Sequence, residues 1–135
     1  MAWTLEEVAP VLRAAWSADT CDEVDLADWS LQNPARGQCG VTALVLQELL
    51  GGELLLAEVH FADGGYQGVH YWNRLPDGEE IDLTREQFAA HELVGSPEVV
   101  DRPSGLPEQG TYQYLRFRQR VSDALAARAA NHASA

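Results

Sequence analysis

The sequence predicts an α+β fold in a single domain that spans residues 1–135. Helical spacing of apolar residues occurs near the beginning, in the middle and at the end of the chain. Apolar segments bounded by Gly and Pro lie between the second and third helical regions and indicate strands. A chain of this length buries roughly two thirds of its unfolded surface, so the fold requires neither a disulfide nor a structural metal.

The first helix is predicted from about Thr4 to Trp16. Thr4 can cap it, and the apolar residues that recur at helical spacing are Leu5, Val8, Val11, Leu12 and Ala15. Pro10 lies inside this span and predicts a kink or two shorter helices. The acidic segment 17–36 is rich in turn formers, which predicts irregular structure with a short helical turn around residues 24–29.

The second helix is predicted from Cys39 to Leu50, because Gly37 precedes it and two glycines follow it. Strands are predicted at three consecutive segments, residues 53–60, 67–75 and 79–83. The last two strands are joined through Pro76-Asp77-Gly78, which is a turn sequence.

The spacing of Thr84 and Gln87 is that of a capping box and predicts a short helix that continues through His91. One edge strand is predicted around Val99. The remainder of the chain is predicted as a helix at residues 111–130 and a frayed tail at residues 131–135.

Charge and composition argue against two classes of partner. The net charge of −12, from 21 acidic and 9 basic residues, opposes binding to nucleic-acid phosphates. No apolar run approaches the roughly 20 residues needed to cross a bilayer, so we expect no membrane insertion. The beginning of the chain lacks a signal-peptide pattern, so we expect a cytoplasmic protein in which Cys21 and Cys39 are free thiols.

Cys39 is the candidate catalytic nucleophile. A thiol attacks a carbonyl carbon as the thiolate, and its ordinary pKa of about 8.5 must be lowered for this purpose. The partial positive charge and unpaired N–H groups of a helix N-terminus stabilise a thiolate and, later, a tetrahedral oxyanion. Gln38 is the candidate oxyanion-hole donor, and Gly40 leaves the approach to sulfur open. The alternative is a buried structural cysteine.

His70 is the candidate base because it lies in the middle of the second strand, within Gly68-Val69-His70-Tyr71-Trp72-Asn73. The other histidines lie at a strand end, at the end of the short helix and in the tail: His60, His91 and His132. An alternative for His70 is a hydrogen-bonded core residue. Asp82 is the candidate that orients the imidazole, and its alternative role is to help cap the helix near Thr84.

The length of the hairpin loop decides whether His70 and Asp82 can meet. With a two-residue loop, Asp77-Gly78, Asp82 points to the sheet face away from His70. With the loop Pro76-Asp77-Gly78, Trp72 opposes Asp82, and His70 lies diagonal to Asp82 on one face. The sequence favours this second loop, because Pro fixes φ at the first turn position and Gly accepts a positive φ at the last. Trp72 would then shield the His70–Asp82 hydrogen bond from water.

The segments Asn33-Pro34-Ala35-Arg36-Gly37-Gln38-Cys39, His70-Tyr71-Trp72-Asn73 and Glu80-Ile81-Asp82-Leu83-Thr84-Arg85-Glu86-Gln87-Phe88 resemble the YunG family of small bacterial proteins, over roughly residues 28–90. The order Cys, His, Asp also resembles the transglutaminase-like and arylamine N-acetyltransferase-like branch of papain-like folds. That resemblance implies a papain-like architecture, in which a helix bearing the Cys packs on a small antiparallel β-sheet bearing the His and the Asp. It implies no substrate, since folds and activities separate freely.

These residues together predict a thiol-dependent acyl-transfer enzyme that works without a cofactor. Cys39 forms the acyl-enzyme, His70 serves as base and then acid, and Asp82 orients it. The substrate is a small-molecule or peptide amide or ester whose acyl group passes to water or to an amine. The residues predicted to line its pocket are Trp72, Asn33 and Gly40. Two alternatives stay open: a zinc site using Cys39, His70 and Asp82 with His60 as a further ligand, and a non-catalytic binding module.

Overall fold

The computed structural model describes residues 3–133. Within this range the chain forms three α-helices: α1 (Leu5–Ala15), α2 (Cys39–Leu50) and α3 (Thr111–Ala133). It also forms five strands: β1 (Glu53–Phe61), β2 (Tyr66–Arg74), β3 (Glu80–Ile81), β4 (Glu92–Val94) and β5 (Glu98–Val100). In the antiparallel sheet β2 lies between β3 and β1, and β4 and β5 both pair with β1. The predicted α+β class is confirmed.

The helix α1 begins with a capping box in which Thr4 and Glu7 each accept from the other's backbone N–H. Pro10 lies inside α1, and the helix continues to Ala15 without a break, so the alternative of two shorter helices is wrong. Two short 3-10 turns follow, at Ala18–Thr20 and Glu23–Asp28. The second of them matches the predicted helical turn.

Side chains from all three helices form the larger hydrophobic core. Its largest fully buried side chains are Val8, Leu12, Leu46, Phe117 and Val121. Burying one side chain of this size contributes about 1.5–3 kcal/mol. This core therefore holds α2 firmly against α1 and α3, and it fixes the position of the first residue of α2, Cys39.

The face of β2 that bears Tyr71 and Asn73 is turned toward α2, because Asn73 Nδ2 donates to the carbonyl oxygen of Ala43 at 2.9 Å. Neighbouring residues of a strand point to opposite faces of the sheet. His70 and Trp72 therefore lie on the other face, where Trp72 packs with apolar residues of β1 in a second, smaller cluster.

The hairpin between β2 and β3 turns through Pro76-Asp77-Gly78. The Leu75 N–H donates to the carbonyl oxygen of Glu79 at 2.8 Å, and the last loop residue has a φ of +92°. Asn73 pairs with Ile81, which is the register that the three-residue loop predicts. The predicted loop is confirmed, and with it the register that puts the candidate base and acid on one face.

The segment after β3 differs from the prediction. Thr84 makes no side-chain cap, and one 3-10 turn, Arg85–Gln87, forms in place of the predicted short helix. The side chain of Gln87 bonds elsewhere, since its Oε1 accepts from the Gly37 N–H at 3.2 Å. The strand β4 is absent from the prediction because three residues are too few to show alternation. The edge strand predicted around Val99 is confirmed as β5.

The last helix, α3, continues to Ala133, past its predicted end at residue 130. The rest of the predicted frayed tail, residues 134 and 135, lies outside the described residues, as does the side chain of His132. No helix within residues 3–133 is long and apolar enough to cross a membrane.

Candidate functional site

Cys39 lines the wall of a cavity of about 600 Å³. The Tyr71 backbone N–H lies close enough to this sulfur to act on it, since it lowers the pKa of the Cys39 thiol. The Leu75 N–H donates to Glu79 across the hairpin, and alternate N–H groups of a strand point to the same edge. The Tyr71 N–H therefore points to the edge of β2 where β3 lies, but beyond the end of β3. The thiol of Cys39 occupies the edge position that β3 leaves open.

His70 and Asp82 form a buried pair. The His70 side chain is fully buried, and its Nε2 lies 2.7 Å from Asp82 Oδ2. Its other ring nitrogen, Nδ1, has no hydrogen-bond partner among the described residues. Burial acts to raise the pKa of the Asp82 carboxyl, but hydrogen bonds and Coulomb attraction to His70 and Arg85 outweigh burial and hold that pKa below its usual value. The ionised carboxylate accepts the Nε2–H, which assigns Nδ1 as the basic nitrogen.

Aromatic rings enclose the His70 imidazole. The Trp72 ring stacks on it with centroids 5.4 Å apart, and the Phe88 ring meets it edge to face at 4.8 Å. The guanidinium of Arg85 in turn lies over the Trp72 ring at 5.1 Å. This geometry agrees with the predicted shielding by Trp72. Trp72 is not among the described residues that line the cavity containing Cys39, so its place in a substrate pocket stays a prediction.

The two cysteine thiols differ in their surroundings. Burial raises the pKa of Cys39 to about 11, the Tyr71 N–H acts to lower it, and the charges of Asp82 and Asp25 act to raise it further. Burial and nearby carboxylates raise the pKa of Cys21 to about 12, and that thiol donates to a backbone carbonyl at 3.3 Å. These effects together raise the pKa of the Cys39 thiol above its ordinary value, whereas the sequence predicts that the helix N-terminus lowers it.

The structure joins His70 to Asp82 directly and places Cys39 against the next residue along β2. No hydrogen bond connects the Cys39 sulfur to His70 Nδ1. His60 lies 3.8 Å from a carboxylate of its own strand, and His91 stacks on an aromatic ring of β1. Of the described histidines, His70 alone thus pairs with Asp82.

Gln38 does not have the geometry of an oxyanion-hole donor. Its side chain is fully buried, where Nε2 donates to a backbone carbonyl at 3.0 Å and Oε1 accepts from the Thr20 hydroxyl at 2.7 Å. The side chain ties α2 to the connector after α1, so that prediction is wrong. Asn33 is also outside the cavity wall, since its Nδ2 donates to the carbonyl oxygen of Gln87 at 3.0 Å. Gly40 does line the cavity, and a Cβ placed there would meet no atom within 4 Å.

Gln87 is a cavity residue that the sequence analysis missed. Its side-chain Oε1 is bonded to Gly37, and its buried Nε2 has no hydrogen-bond partner among the described residues. The spacing of Gln87 from Thr84 matches a capping box, which predicts a local partner for the Gln87 side chain. The structure instead pairs that side chain with Gly37, 50 residues away along the chain. No local sequence signal indicates such a contact.

Within residues 3–133, the charged side chains of the cavity wall are acidic: Asp22, Asp25, Asp101 and Glu108. In the same range, no group of three or more His, Cys, Asp or Glu side chains is arranged to hold a metal ion. The zinc alternative therefore lacks a set of ligands in the described part of the chain.

The fold and the site define a small α+β protein with a thiol at a helix start and a buried histidine on β2 that pairs with an aspartate directly after β3. The sequence model of a family described as "YunG protein" matches residues 4–126, and the chain belongs to this family. The chain is similar to the Bacillus subtilis (strain 168) protein named "Uncharacterized protein YunG", with 34% identity over 86 residues. That match covers 64% of this chain and 64% of the relative, which is less than two thirds of the relative's length. No solved structure matches the chain.

Proposed function

We propose that this protein is a thiol-dependent acyl-transfer enzyme with Cys39 as nucleophile, His70 as base and Asp82 as the group that orients His70. The observation that carries the proposal is the unpartnered, fully buried Nδ1 of His70, which lies on β2 next to Tyr71, the residue whose backbone N–H lowers the pKa of Cys39. A buried polar atom without a partner is uncommon, and catalytic groups are one of its recognised causes.

In the first half-reaction, His70 Nδ1 takes the thiol proton as the sulfur attacks the carbonyl carbon of an amide or ester. The S–C bond forms, and the π electrons of the carbonyl move onto its oxygen. Collapse of this intermediate breaks the bond to the amine or alcohol, which leaves with the proton from His70. Water or an amine then attacks the thioester with His70 as base, and the sulfur regains its proton.

This reaction requires the Cys39 sulfur to move from the Tyr71 N–H to within hydrogen-bond distance of His70 Nδ1. Such catalytic contacts are often long in the absence of substrate and tighten in the complex. Because the pKa of Cys39 is raised to about 11, we propose that proton transfer accompanies the attack rather than preceding it in a standing thiolate–imidazolium pair.

The packing of α2 against an antiparallel sheet, with His70 on β2 and Asp82 directly after β3, supports a papain-like assignment of the fold, which forms part of this proposal. A catalytic thiol must also stay reduced, which favours the cytoplasm as the site of action. The acyl substrate is a small molecule or a peptide, and hydrolysis and transfer to an amine use the same residues.

The test is acylation of the purified protein by p-nitrophenyl acetate, with release of p-nitrophenolate and the position of the acetyl group both measured. We expect the acetyl group on Cys39 and not on Cys21, which serves as the internal control. The His70→Ala variant should acylate about 10²- to 10⁴-fold more slowly, which is the usual contribution of a general base. The matched variant His60→Ala removes a histidine outside the pair and should keep the wild-type rate.

The pH dependence of simple alkylation checks the protonation state of the thiol. Modification of Cys39 by iodoacetamide should rise with pH toward the thiol pKa of about 11, and a plateau at neutral pH would show a standing thiolate instead. Equal acetylation of both cysteines, at a rate that a folded His70→Ala variant does not change, would refute the proposed function.

A further inference from the structure

The side chain of Gln87 lies in the wall of the same cavity as Cys39, and one of its two polar atoms lacks a partner within the described part of the chain. It is only 4% exposed, and its Nε2 has no hydrogen-bond partner among the described residues. Leaving a buried donor unpaired costs about 1–3 kcal/mol. A donor maintained at this cost inside a cavity points to an acceptor on a bound molecule.

The orientation of the Gln87 amide follows from its neighbour. Its Oε1 lies 3.2 Å from the Gly37 backbone nitrogen, which is a donor. Exchanging the amide oxygen and nitrogen would set two donors against each other, so the network assigns the oxygen to Gly37 and leaves the nitrogen as the unpaired donor. The main chain of Gln87 is also held, since its N–H donates to Thr84 and its carbonyl oxygen accepts from Asn33, each at 3.0 Å.

We infer that Gln87 Nε2 is a side-chain donor of the oxyanion hole and acts together with the backbone N–H of Cys39. The first N–H groups of a helix have no partner within the helix, so the Cys39 N–H is free to donate in this way. The two donors would bind the carbonyl oxygen of the substrate as negative charge develops on it, without moving a proton or breaking a bond. This inference rests on the proposed acyl transfer and assigns to Gln87 the role that the sequence predicted for Gln38.

The path of the chain brings this donor to the other catalytic groups. The short segment from Asp82 to Phe88 carries the acid that bonds His70, the donor Gln87, and the Phe88 ring that contacts His70 at 4.8 Å. Gln87 in turn bonds the backbone at Gly37, two residues before the nucleophile. One segment thus carries both the orienting acid, bonded to His70, and the proposed oxyanion donor, bonded next to the start of α2.

The test compares two reactions of the same thiol in Gln87→Glu. This substitution keeps an oxygen to accept from Gly37 and replaces the Nε2 donor by a second oxygen. Acylation by p-nitrophenyl acetate passes through an oxyanion, whereas alkylation by iodoacetamide displaces iodide from a saturated carbon and does not. We expect acylation of Cys39 to fall about 10²- to 10³-fold, as for loss of one oxyanion-hole donor, and alkylation to change much less.

Two further variants separate loss of the donor from charge and from misfolding. Gln87→Met is uncharged and also lacks the donor, so it should show the same selective loss of acylation. Gln32→Glu makes the matched change from amide to carboxylate on an exposed turn before α2, and it should retain both rates. Far-ultraviolet circular dichroism and thermal unfolding establish that each variant is folded.

The outcomes distinguish the two proposals. If wild-type protein acylates Cys39 in a His70-dependent way but folded Gln87→Met acylates equally fast, the role of Gln87 is wrong and the proposed function stands. An equal loss of acylation and alkylation in both Gln87 variants would make Gln87 a scaffold residue and also overturn the inference. If wild-type protein shows no His70-dependent acylation, the proposed function itself fails, and the inference fails with it.

Discussion

Asp82 Oδ2 accepts from two nitrogens at nearly the same distance, His70 Nε2 at 2.7 Å and Arg85 Nε at 2.6 Å. The two partners differ in exposure, since the His70 side chain is 0% exposed and that of Arg85 is 50% exposed. Distance alone predicts equal interaction energies. Water competes with the exposed contact and salt screens it, so we expect Asp82 to be coupled more strongly to His70 than to Arg85.

The expected magnitudes follow from burial. A hydrogen bond to a charged group contributes about 1.5–3 kcal/mol, and a buried partner left alone costs about 1–3 kcal/mol. Exposed ion pairs contribute about 0.2–1 kcal/mol. We therefore expect a coupling energy of about 2 kcal/mol or more between Asp82 and His70, and of less than about 1 kcal/mol between Asp82 and Arg85.

Two double-mutant cycles measure these couplings from the free energy of unfolding in urea at pH 7. They use Asp82→Ala, His70→Ala, Arg85→Ala and the two corresponding double variants. The pKa of Asp82 is lowered in the folded protein, so its stabilising contribution should be complete above the unfolded-state value of about 3.9 and should be lost as pH falls through the lower folded-state pKa. A coupling to Arg85 that equals or exceeds the coupling to His70 would refute the reasoning from burial.

Two further predictions concern the surroundings of the thiol. Because the charged side chains of the cavity wall are acidic, Cys39 should react several-fold more slowly with anionic iodoacetate than with iodoacetamide, relative to the same ratio for free cysteine. This discrimination against iodoacetate should shrink as salt is added. A rate ratio equal to that of free cysteine would contradict the prediction. Gly37→Ala should lower the free energy of unfolding by more than about 1 kcal/mol, because φ is +71° and the new Cβ would lie 2.5 Å from Cys21 Sγ. In contrast, Gly40→Ala should raise it by up to about 1 kcal/mol, and urea unfolding compares the two.

The pairing of His70 with Asp82 could be predicted because local rules determine it. The loop Pro76-Asp77-Gly78 has one residue that fixes φ and one that accepts a positive φ, and these residues select the loop length. Loop length determines register, and register determines which side chains share a face. The helix α2 was predictable for a similar reason, since glycines mark both of its ends.

The proposed oxyanion-hole donor, Gln87, could not be predicted because a long-range contact decides its position. Gln38 is adjacent to Cys39 in sequence, yet the turn before α2 directs its side chain into the core toward Thr20. Gln87 reaches the cavity only because Gly37 and Asn33 bind it across 50 and 54 residues of chain. The raised pKa of Cys39 was missed for the same reason, since burial by β2 depends on tertiary packing.

The stability of the site depends on the segment from Asp82 to Phe88 and can differ from the stability of the whole protein. Apart from one 3-10 turn this segment is irregular, and although Leu83 packs in the core of the three helices, Asp82 and Gln87 are held by side-chain hydrogen bonds. Regions held by few contacts open at a lower free energy than the core around them. Local opening of these seven residues would separate the proposed acid and amide donor from the proposed base at once, so we expect the site to be lost at a lower free energy than the helical core.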